Sequence, residues 1–356
     1  MSSASMVDML LRSSLLLVPF LACAGCSGAA PPSDGDDGGS PPSQLDASEG
    51  SPIEDASNVD AAADVSALDA STTEAMIVGL NAGGWGPNEP SDEAPAVHAV
   101  RLDGTASASY YVSSTAASFQ VIIDFSGPYD ASGVSGLNAS SWAANAVSTY
   151  EAAGCTPAKC VAIEVLNEPS GTWFWGSNAG SSTNAAAYAN LVQATHDAFA
   201  AQYGTGGPKI LASYDNSAWW SGVVAANAKI GDDFDGIVVH PYGGHGSTSA
   251  QGNRALVTEA HDATGKLVWI TEVGWPTAMG QPPTGDSLQW TAAQQADNVY
   301  DFVIWSRAVG YVGAVIIFGY RDYSTNMWYG VETSSGTRKP SYRALYCAWQ
   351  GLPEGC

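Results

Sequence analysis

Short apolar runs alternate with longer periodic segments from about residue 76 to the end of the chain. The short runs are rich in β-branched residues and apolar at nearly every position, which is typical of strands buried on both faces. Eight such runs each predict a β-strand: residues 77–81 (IVGLN), 97–102 (VHAVRL), 119–125 (FQVIIDF), 161–167 (VAIEVLN), 209–215 (KILASYD), 236–242 (GIVVHPY), 267–272 (LVWITE) and 314–320 (AVIIFGY).

The segments between these runs show the helical period. Residues 183–204 and 291–305 each place apolar side chains on one helical face. Strands that are apolar on both faces and joined by helices indicate parallel pairing with right-handed crossovers. Eight such units within residues 76–356 predict an α/β fold, a single (β/α)8 TIM barrel. A doubly wound open sheet is the alternative.

Polar residues at the ends of the predicted strands favour the barrel. A barrel gathers the carboxyl ends of its strands into one mouth, whereas an open sheet spreads them along an edge. The residues at or just past these ends are Asn81, Arg101, Asp124, Glu168, Asp215, His240, Tyr242, Glu272 and Tyr320.

The first 75 residues lack this alternation. Residues 1–26 contain one Arg and then LLLVPFLACAGC, a short apolar core followed by small residues, which resembles a bacterial secretion signal. CAGC resembles a lipobox, so we expect cleavage and lipidation at Cys26; simple signal cleavage is the alternative, because an aliphatic residue is commoner at the position of Cys23. Residues 27–75 are rich in Ala, Asp, Ser and Pro, and we predict a disordered acidic tether.

The charge of the chain limits its partners. Eleven acidic residues lie within 27–75, and residues 76–356 carry 23 acidic and 11 basic side chains, a net charge of −12. This charge opposes binding to nucleic acid or to an anionic membrane surface and favours a neutral partner. We expect a monomer exported from a bacterial cell, anchored by lipid at the cell envelope or surface, or otherwise secreted.

Four cysteines of the predicted barrel form two local pairs, which we expect to be the disulfides Cys155–Cys160 and Cys347–Cys356 in an oxidising compartment. A metal site is the rival interpretation. Because the pairs are far apart in sequence and neither has a zinc-ligand spacing such as CxxC, we expect no metal and no cofactor.

Two glutamates end predicted strands four and seven: Glu168 in VAIEVLNEPSG and Glu272 in LVWITEVGWPT. In a barrel both would face one cavity. Cleavage of a glycosidic bond uses two carboxyl groups, one protonated to release the leaving alcohol and one ionised to attack the anomeric carbon. The environments of the two glutamates must therefore hold their pKa values apart. The structural alternative for Glu168 is a polar strand end before a proline.

The motifs LNEP, HPY and TEVGWPT together resemble the glycoside hydrolases of clan A, over roughly residues 76–346. The resemblance implies a retaining mechanism in which Glu168 is the general acid/base, with a raised pKa, and Glu272 is the nucleophile. It also implies that Tyr242 hydrogen-bonds the nucleophile, that His240 supports the acid/base and that Arg101 braces the carboxylates. GWPT has some likeness to members that cleave β-1,3-glucans.

Several further residues are candidates for substrate binding. Asn167 could bind the 2-hydroxyl of the sugar, and Glu164 is expected to form a buried pair with Arg101. Asp124 and Asp215 could bind sugar hydroxyls or cap the helices that follow them. Loop tryptophans could stack on sugar faces or fill the core; these are Trp85, Trp173, Trp175, Trp219, Trp220 and Trp275. Strand eight lacks the usual platform tryptophan, and Phe318, Tyr320 or Trp328 could replace it.

These features predict a retaining β-glycosidase that acts within a neutral polysaccharide such as a β-glucan. The alternative is a catalytically inactive carbohydrate-binding lipoprotein on the same barrel. The presence of both glutamates argues against it, because binding alone needs no pair of carboxyl groups.

Overall fold

Eight parallel strands form one closed barrel, in which each strand pairs with the next and the eighth pairs with the first. The computed structural model describes residues 75–81, 97–103, 112–113, 118–126, 138–171, 182–242, 253–277, 290–322 and 328–356. The strands are β1 (Ile77–Asn81), β2 (Ala99–Asp103), β3 (Gln120–Phe125), β4 (Cys160–Val165), β5 (Lys209–Ser213), β6 (Gly236–Val239), β7 (Leu267–Val273) and β8 (Val312–Ile317). The predicted (β/α)8 TIM barrel is confirmed.

Six α-helices lie within the described residues: α1 (Ala139–Ala152), α2 (Ser182–Tyr203), α3 (Ser217–Ala226), α4 (Arg254–Thr264), α5 (Ala292–Ala308) and α6 (Pro340–Gln350). Side-chain caps define several helix starts. Asn138, Asn216 and Asn253 each accept a hydrogen bond from a backbone amide in the first turn of the helix that follows. Thr291 and Gln294 form a capping box at the start of α5.

The strands end earlier than the sequence suggests. The predicted fourth, fifth, sixth and eighth strands run to Asn167, Asp215, Tyr242 and Tyr320, whereas β4, β5, β6 and β8 end two or three residues before these positions. Beyond the true strand ends, the side chains of Asn167, His240 and Tyr242 form hydrogen bonds with groups from other strands at the barrel mouth.

Apolar residues fill the barrel from both sides of the sheet. Small and medium side chains of alternate strand positions surround Trp269 of β7 in the interior, where Ala99, Ala162 and Ala314 keep side-chain volume low. A Cβ atom on Gly236 would lie 2.5 Å from Nε1 of Trp269, so glycine makes room for the indole ring. The outward-facing strand residues pack with the helices in a larger core.

Two disulfides close local loops. Cys155 and Cys160 join the end of the α1 loop to the start of β4, and Cys347 of α6 pairs with Cys356 at the C-terminus. Both predicted pairings are confirmed. Residues 1–26 with Cys26, and residues 27–74, lie outside the described residues, so the signal and tether stay predictions together with the domain boundaries. Among the helices that the structure describes, none has the length and apolar character that a membrane span requires.

Candidate active site

The turn after β4 places Glu168 at the carboxyl end of the barrel. Leu166 and Glu168 have φ values of 63° and 47°, in the left-handed region that residues with a Cβ atom rarely adopt. Such a conformation costs on the order of 1–3 kcal/mol per residue and persists only where surrounding contacts hold it. The backbone therefore turns Glu168 away from the course that β4 would have continued.

Hydrogen bonds from neighbouring strands hold this strained turn. The amide of Leu166 donates to the carbonyl of Phe125, and the hydroxyl of Ser213 donates to the carbonyl of Leu166 over 3.1 Å. The amide of Ser170 donates to Oδ2 of Asp215 over 2.6 Å. The turn that carries Glu168 is thus tied to β3 and to the residues at the end of β5.

An irregularity in β7 places two adjacent side chains in the site. The register between β7 and β8 shifts between Ile270 and Val273. In a regular strand, neighbouring residues point to opposite faces of the sheet. Here both Thr271 and Glu272 reach groups at the barrel mouth, since Oγ1 of Thr271 lies 3.0 Å from Nε2 of His240.

Three side chains hold the carboxylate of Glu272. Nη1 of Arg101 donates to Oε1 over 2.7 Å, and Nδ2 of Asn81 donates to the same oxygen over 3.2 Å. The hydroxyl of Tyr242 donates to Oε2 over 2.9 Å. The contacts that we expected from Arg101 and Tyr242 are both present, and they fix the carboxylate in one orientation.

Arg101 connects the carboxylates to the barrel interior. Its Nε and Nη2 donate to the two oxygens of Glu164 over 2.8 and 2.9 Å, so the expected buried pair with Glu164 is present. Nη2 also donates to Oδ1 of Asn167 over 2.9 Å and lies 3.4 Å from Oδ2 of Asp124. Burial alone would lower the pKa of Arg101, but these carboxylates raise it well above its ordinary value.

His240 lies between three carboxyl groups. Its Nδ1 is 2.9 Å from Oε1 of Glu168, and its Nε2 is 3.6 Å from Oε1 of Glu164. Burial would lower the pKa of His240, but the charge of Glu272 and the hydrogen bonds to Glu164 and Glu168 raise it to about 10. The ring is therefore an imidazolium at neutral pH.

The expected raised pKa of Glu168 is wrong. Burial raises the pKa of Glu168, but the hydrogen bond and charge of His240 and the charge of Arg101 outweigh burial, so the pKa lies below its ordinary value. Because the pKa of His240 is raised and that of Glu168 is lowered, the hydrogen-bonded pair favours an imidazolium beside a carboxylate.

The two carboxyl groups of interest are close together. One oxygen of Glu168, one ring nitrogen of His240 and one oxygen of Glu272 all lie within 4.8 Å of one another. In the part of the chain that the structure describes, this is the one group with the residue types and spacing for a metal ion. The three side chains are also joined by shorter contacts, because Nδ1 of His240 lies 2.9 Å from Oε1 of Glu168 and 3.9 Å from Oε2 of Glu272.

A sequence model of the glycosyl hydrolase catalytic core matches residues 136–333, more than half of the chain. The chain belongs to this family. It is a glycoside hydrolase, and the matched segment includes Glu168, His240 and Glu272. Asn81 and Arg101 precede the match and come from the first two strands of the same barrel. A comparison with curated protein sequences gave no match.

This chain is similar, at low sequence identity, to solved structures of clan A glycoside hydrolases that share its fold. Fungal β-1,4-galactanases share 17% identity with a TM-score of 0.56, over 72% of this chain and 90% of theirs. An endo-β-1,3-glucanase of family GH128 from Amycolatopsis mediterranei, in complex with laminarihexaose, shares 15% identity with a TM-score of 0.52, over 76% of this chain and 99% of its own. An endo-1,4-β-xylanase from Penicillium canescens shares 16% identity with a TM-score of 0.51, over 78% and 95%.

Three aromatic residues of the glycosyl hydrolase do not occupy the positions that we expected. Trp219 lies within α3, not on a loop, and is 3% exposed against Tyr188. Trp275 is 3% exposed and packs edge-on against Phe302. Tyr320 is 2% exposed. Core packing covers these rings, so the prediction that they stack on sugar is corrected.

The remaining aromatic candidates fall into three groups. Trp220 also lies in α3 and is buried against Tyr214 and Phe234. Phe318 and Trp328 are partly exposed, so a role as a sugar platform stays a prediction for both. Trp85, Trp173 and Trp175 lie outside the described residues.

The two aspartates have different surroundings. Asp124 accepts a hydrogen bond from the hydroxyl of Ser126 over 3.0 Å. The helix cap that we considered for Asp215 is instead made by Asn216, which accepts from the amide of Trp219. Asp215 lies beside Glu168 and bonds to Ser170.

Sequence reasoning did not assign a role to Asn81 or Thr271. Asn81 ends β1 and donates to Glu272, so its place at a strand end was the available signal. Thr271 had no signal, because a regular strand would have turned its side chain away from that of Glu272. Tyr329 was also missed. Its ring packs edge-on against Tyr242 and Phe318.

Proposed function

We propose that this glycoside hydrolase is a retaining, endo-acting enzyme that cleaves β-glycosidic bonds in a neutral polysaccharide of the β-glucan type. The separation of the two carboxyl groups carries the proposal. Retaining enzymes have carboxyl groups about 5–5.5 Å apart, whereas inverting enzymes leave about 6.5–9.5 Å for a water molecule. One oxygen of Glu168 lies within 4.8 Å of one oxygen of Glu272, which favours the shorter separation of a retaining enzyme.

Glu272 is the nucleophile in this proposal. Arg101, Asn81 and Tyr242 donate to its two oxygens and hold the carboxylate in one orientation. The same donors fix the oxygen that attacks, which reduces the entropy lost on reaching the transition state.

Glu168 is the general acid and base. Its side chain is 32% exposed, compared with 11% for Glu272 and none for Glu164, so it can reach the oxygen of a bound glycosidic bond. His240 holds a proton on the ring nitrogen that faces Oε1 of Glu168. Substrate binding removes water from Glu168, which favours its neutral form and draws this proton onto the carboxyl group.

Two displacements complete the reaction. In the first, Glu272 forms a bond to the anomeric carbon while the glycosidic bond breaks, and Glu168 gives its proton to the departing oxygen. In the second, Glu168 takes a proton from a water molecule, which displaces Glu272 and restores the original anomeric configuration. Asn167 supports both steps by binding the 2-hydroxyl of the sugar through Nδ2, since its Oδ1 accepts from Arg101.

The preference for a neutral polymer rests on charge and on similarity. The net charge of −12 over residues 76–356 disfavours anionic polysaccharides. The related barrel of the Amycolatopsis enzyme is an endo-β-1,3-glucanase, which favours a β-glucan as the polymer to test first.

We also propose export and lipid anchoring through Cys26, with the barrel acting as a monomer. Two disulfides in the barrel suit an oxidising compartment outside the cytoplasm. We expect metabolic labelling with a fatty acid to modify the wild-type chain but not Cys26→Ala. Equal labelling of both would exclude this anchor.

A panel of polysaccharides tests the proposed activity. We expect the enzyme to release reducing sugar from at least one neutral β-glucan, β-xylan or β-galactan. Because cleavage is internal, the viscosity of the polymer solution should fall early in the reaction. Glu272→Gly should lose essentially all turnover while remaining folded. If the wild type releases no sugar from any polymer yet binds one, the inactive carbohydrate-binding protein is the correct interpretation.

A further inference from the structure

Gln295 of α5 is buried beside the segments that follow β7 and β8, although glutamine is usually an exposed residue. Its Nε2 donates to the carbonyl of Trp275 over 2.8 Å and to the carbonyl of Tyr329 over 3.1 Å, and lies 3.4 Å from the carbonyl of Gly330. Its Oε1 accepts from the hydroxyl of Ser341 over 2.8 Å. One side-chain amide therefore joins both segments to the start of α6.

The segments after β7 and β8 also contact each other. The amide of Thr277 donates to the carbonyl of Trp328 over 2.9 Å. A Cβ atom on Gly274 would lie 2.9 Å from Cδ1 of Tyr329, so the backbone after β7 passes directly against this ring. The ring of Tyr329 therefore has little space in which to move toward β7.

Lys339 holds the residues on either side of Tyr329. Its Nζ donates to Oδ1 of Asp322 over 2.7 Å, to Oγ1 of Thr277 over 2.8 Å and to the carbonyl of Trp328 over 3.3 Å. The amide of Gly330 donates to the same oxygen of Asp322 over 3.0 Å. The hydrogen bond from Gln295 adds a contact to the carbonyl of Tyr329 itself, between these two anchored neighbours.

Tyr329 connects this hydrogen-bonded region to the nucleophile. Its ring packs edge-on against Tyr242, with ring centroids 6.0 Å apart, and against Phe318 at 5.5 Å. The hydroxyl of Tyr242 donates to Oε2 of Glu272 over 2.9 Å. The direction of this hydrogen bond depends on where the ring of Tyr242 lies, because the hydroxyl is fixed to a rigid ring.

We propose that Gln295 is a positioning residue for Glu272. It holds the backbone of Tyr329, whose ring confines Tyr242 to the place from which its hydroxyl reaches Oε2 of Glu272. The inference rests on the proposed function, because it takes Glu272 as the group that attacks the anomeric carbon. The competing explanation is that Gln295 only stabilises the packing of α5 and α6.

Gln295→Met tests the positioning role. Methionine has nearly the same length as glutamine but no amide, so the carbonyls of Trp275 and Tyr329 lose this donor. Gln294→Met is the matched control, since Gln294 is the neighbouring residue, is exposed and forms the capping box with Thr291. The control weakens the same helix through its cap.

The first measurement is single-turnover release of dinitrophenolate with enzyme in excess. The substrate is the 2,4-dinitrophenyl β-glycoside, among those of cellobiose, laminaribiose and xylobiose, that the wild type hydrolyses fastest. We expect Gln295→Met to lower the rate constant of release about tenfold, because an attacking group displaced by a fraction of an ångström reacts more slowly. The dissociation constant of the substrate should stay within about twofold of the wild-type value, since Gln295 acts on the attacking group. Gln294→Met should keep both wild-type values.

The second measurement repeats this comparison in a Tyr242→Phe background. Phenylalanine keeps the ring and removes the hydroxyl, while Arg101 and Asn81 still hold Oε1 of Glu272. If Gln295 acts through that hydroxyl, adding Gln295→Met to Tyr242→Phe should lower the rate constant by less than about twofold, as expected for coupled residues.

Equal losses in the two backgrounds would overturn the inference, as would a wild-type rate constant in folded Gln295→Met or an equal loss in Gln294→Met. Near-UV circular dichroism checks that each variant folds. If Gln295→Met does not fold, Tyr329→Leu takes its place in the same comparison, because it removes the ring and leaves the backbone carbonyl with Gln295. If the wild type hydrolyses none of the aryl glycosides, the proposed function fails first, and the inference fails with it.

Discussion

At the scale of single residues, the site contains cations that each contact more than one carboxyl group. Arg101 and His240 both contact Glu164, which is fully buried, and each also contacts one of the two carboxyl groups assigned to catalysis. A buried charge without a partner is strongly destabilising, so each cation needs its carboxylate. Glu164 therefore acts as a positioning residue, which holds two cations against Glu168 and Glu272.

The raised pKa of His240 predicts a pH dependence of stability. Its folded-state value of about 10 lies above its ordinary value of 6.5, so the stability it contributes is complete below pH 6.5 and lost as the pH rises to about 10. We expect the difference in unfolding free energy between wild type and His240→Asn, measured with urea, to shrink over this range.

His196→Asn, on the surface of α2, is the control for that series. Its ring lies outside the cluster of Glu164, Glu168, Glu272 and Arg101, so it tests whether removal of any histidine gives the same result. A constant difference for His240→Asn from pH 6 to pH 10 would show that His240 is not an imidazolium in the folded protein.

At the scale of elements, the packing between β6 and β7 depends on the small size of Gly236, which leaves space for the ring of Trp269. A Cβ atom on Gly236 would meet Nε1 and Cδ1 of Trp269 at 2.5 and 2.6 Å, and Leu211 at 3.0 Å. Trp269 is 2% exposed inside a closed barrel, so its ring has little space into which it can move.

We therefore expect Gly236→Ala to destabilise the protein by about 1–3 kcal/mol, as other overpacked core substitutions do. Urea unfolding measures the change. Gly231→Ala is the matched control, since a Cβ atom there would have no heavy atom within 4 Å, and its φ is outside the left-handed region. Equal stabilities of the two variants would contradict the packing described for the barrel interior.

The strands themselves were predictable, but their ends were not. Buried β-branched runs located all eight strands. The turn at Leu166 and Glu168 was not visible, because two residues with positive φ follow no propensity rule and are held by distant groups such as Ser213. The irregularity in β7 was hidden for the same reason, since only pairing with β8 reveals it.

At the scale of the whole molecule, barrel closure explains why the site could be anticipated in part. Polar residues at strand ends must converge once eight parallel strands close, so Arg101, Glu168, His240, Tyr242 and Glu272 were all found near one another. The aromatic positions were less predictable, because a tryptophan near a strand end can face sugar or core, and Trp219 and Trp275 are both in the core.

Charge state was the other property that sequence did not provide. The motifs identify which carboxyl groups are present, but the ionisation of Glu168 depends on how close His240 and Arg101 come to it. Those cations lower the pKa of Glu168. Assigning the proton thus required three-dimensional distances, not residue types.

The central claim is that Glu168 is the acid/base and Glu272 is the nucleophile of a double displacement. The most direct test is the anomeric configuration of the glycosyl azide that each variant forms from a 2,4-dinitrophenyl β-glycoside in the presence of azide, determined by NMR. This substrate needs little protonation to react, so Glu168→Ala should still form the covalent intermediate and then stall, because no base activates water.

Azide needs no base, so it should restore turnover to Glu168→Ala and give the β-glycosyl azide with retained configuration. In Glu272→Gly azide takes the place of the nucleophile and should give the inverted α-glycosyl azide. The same anomer from both variants, or normal activity of Glu168→Ala on unactivated polymer, would contradict the assignment of these two glutamates.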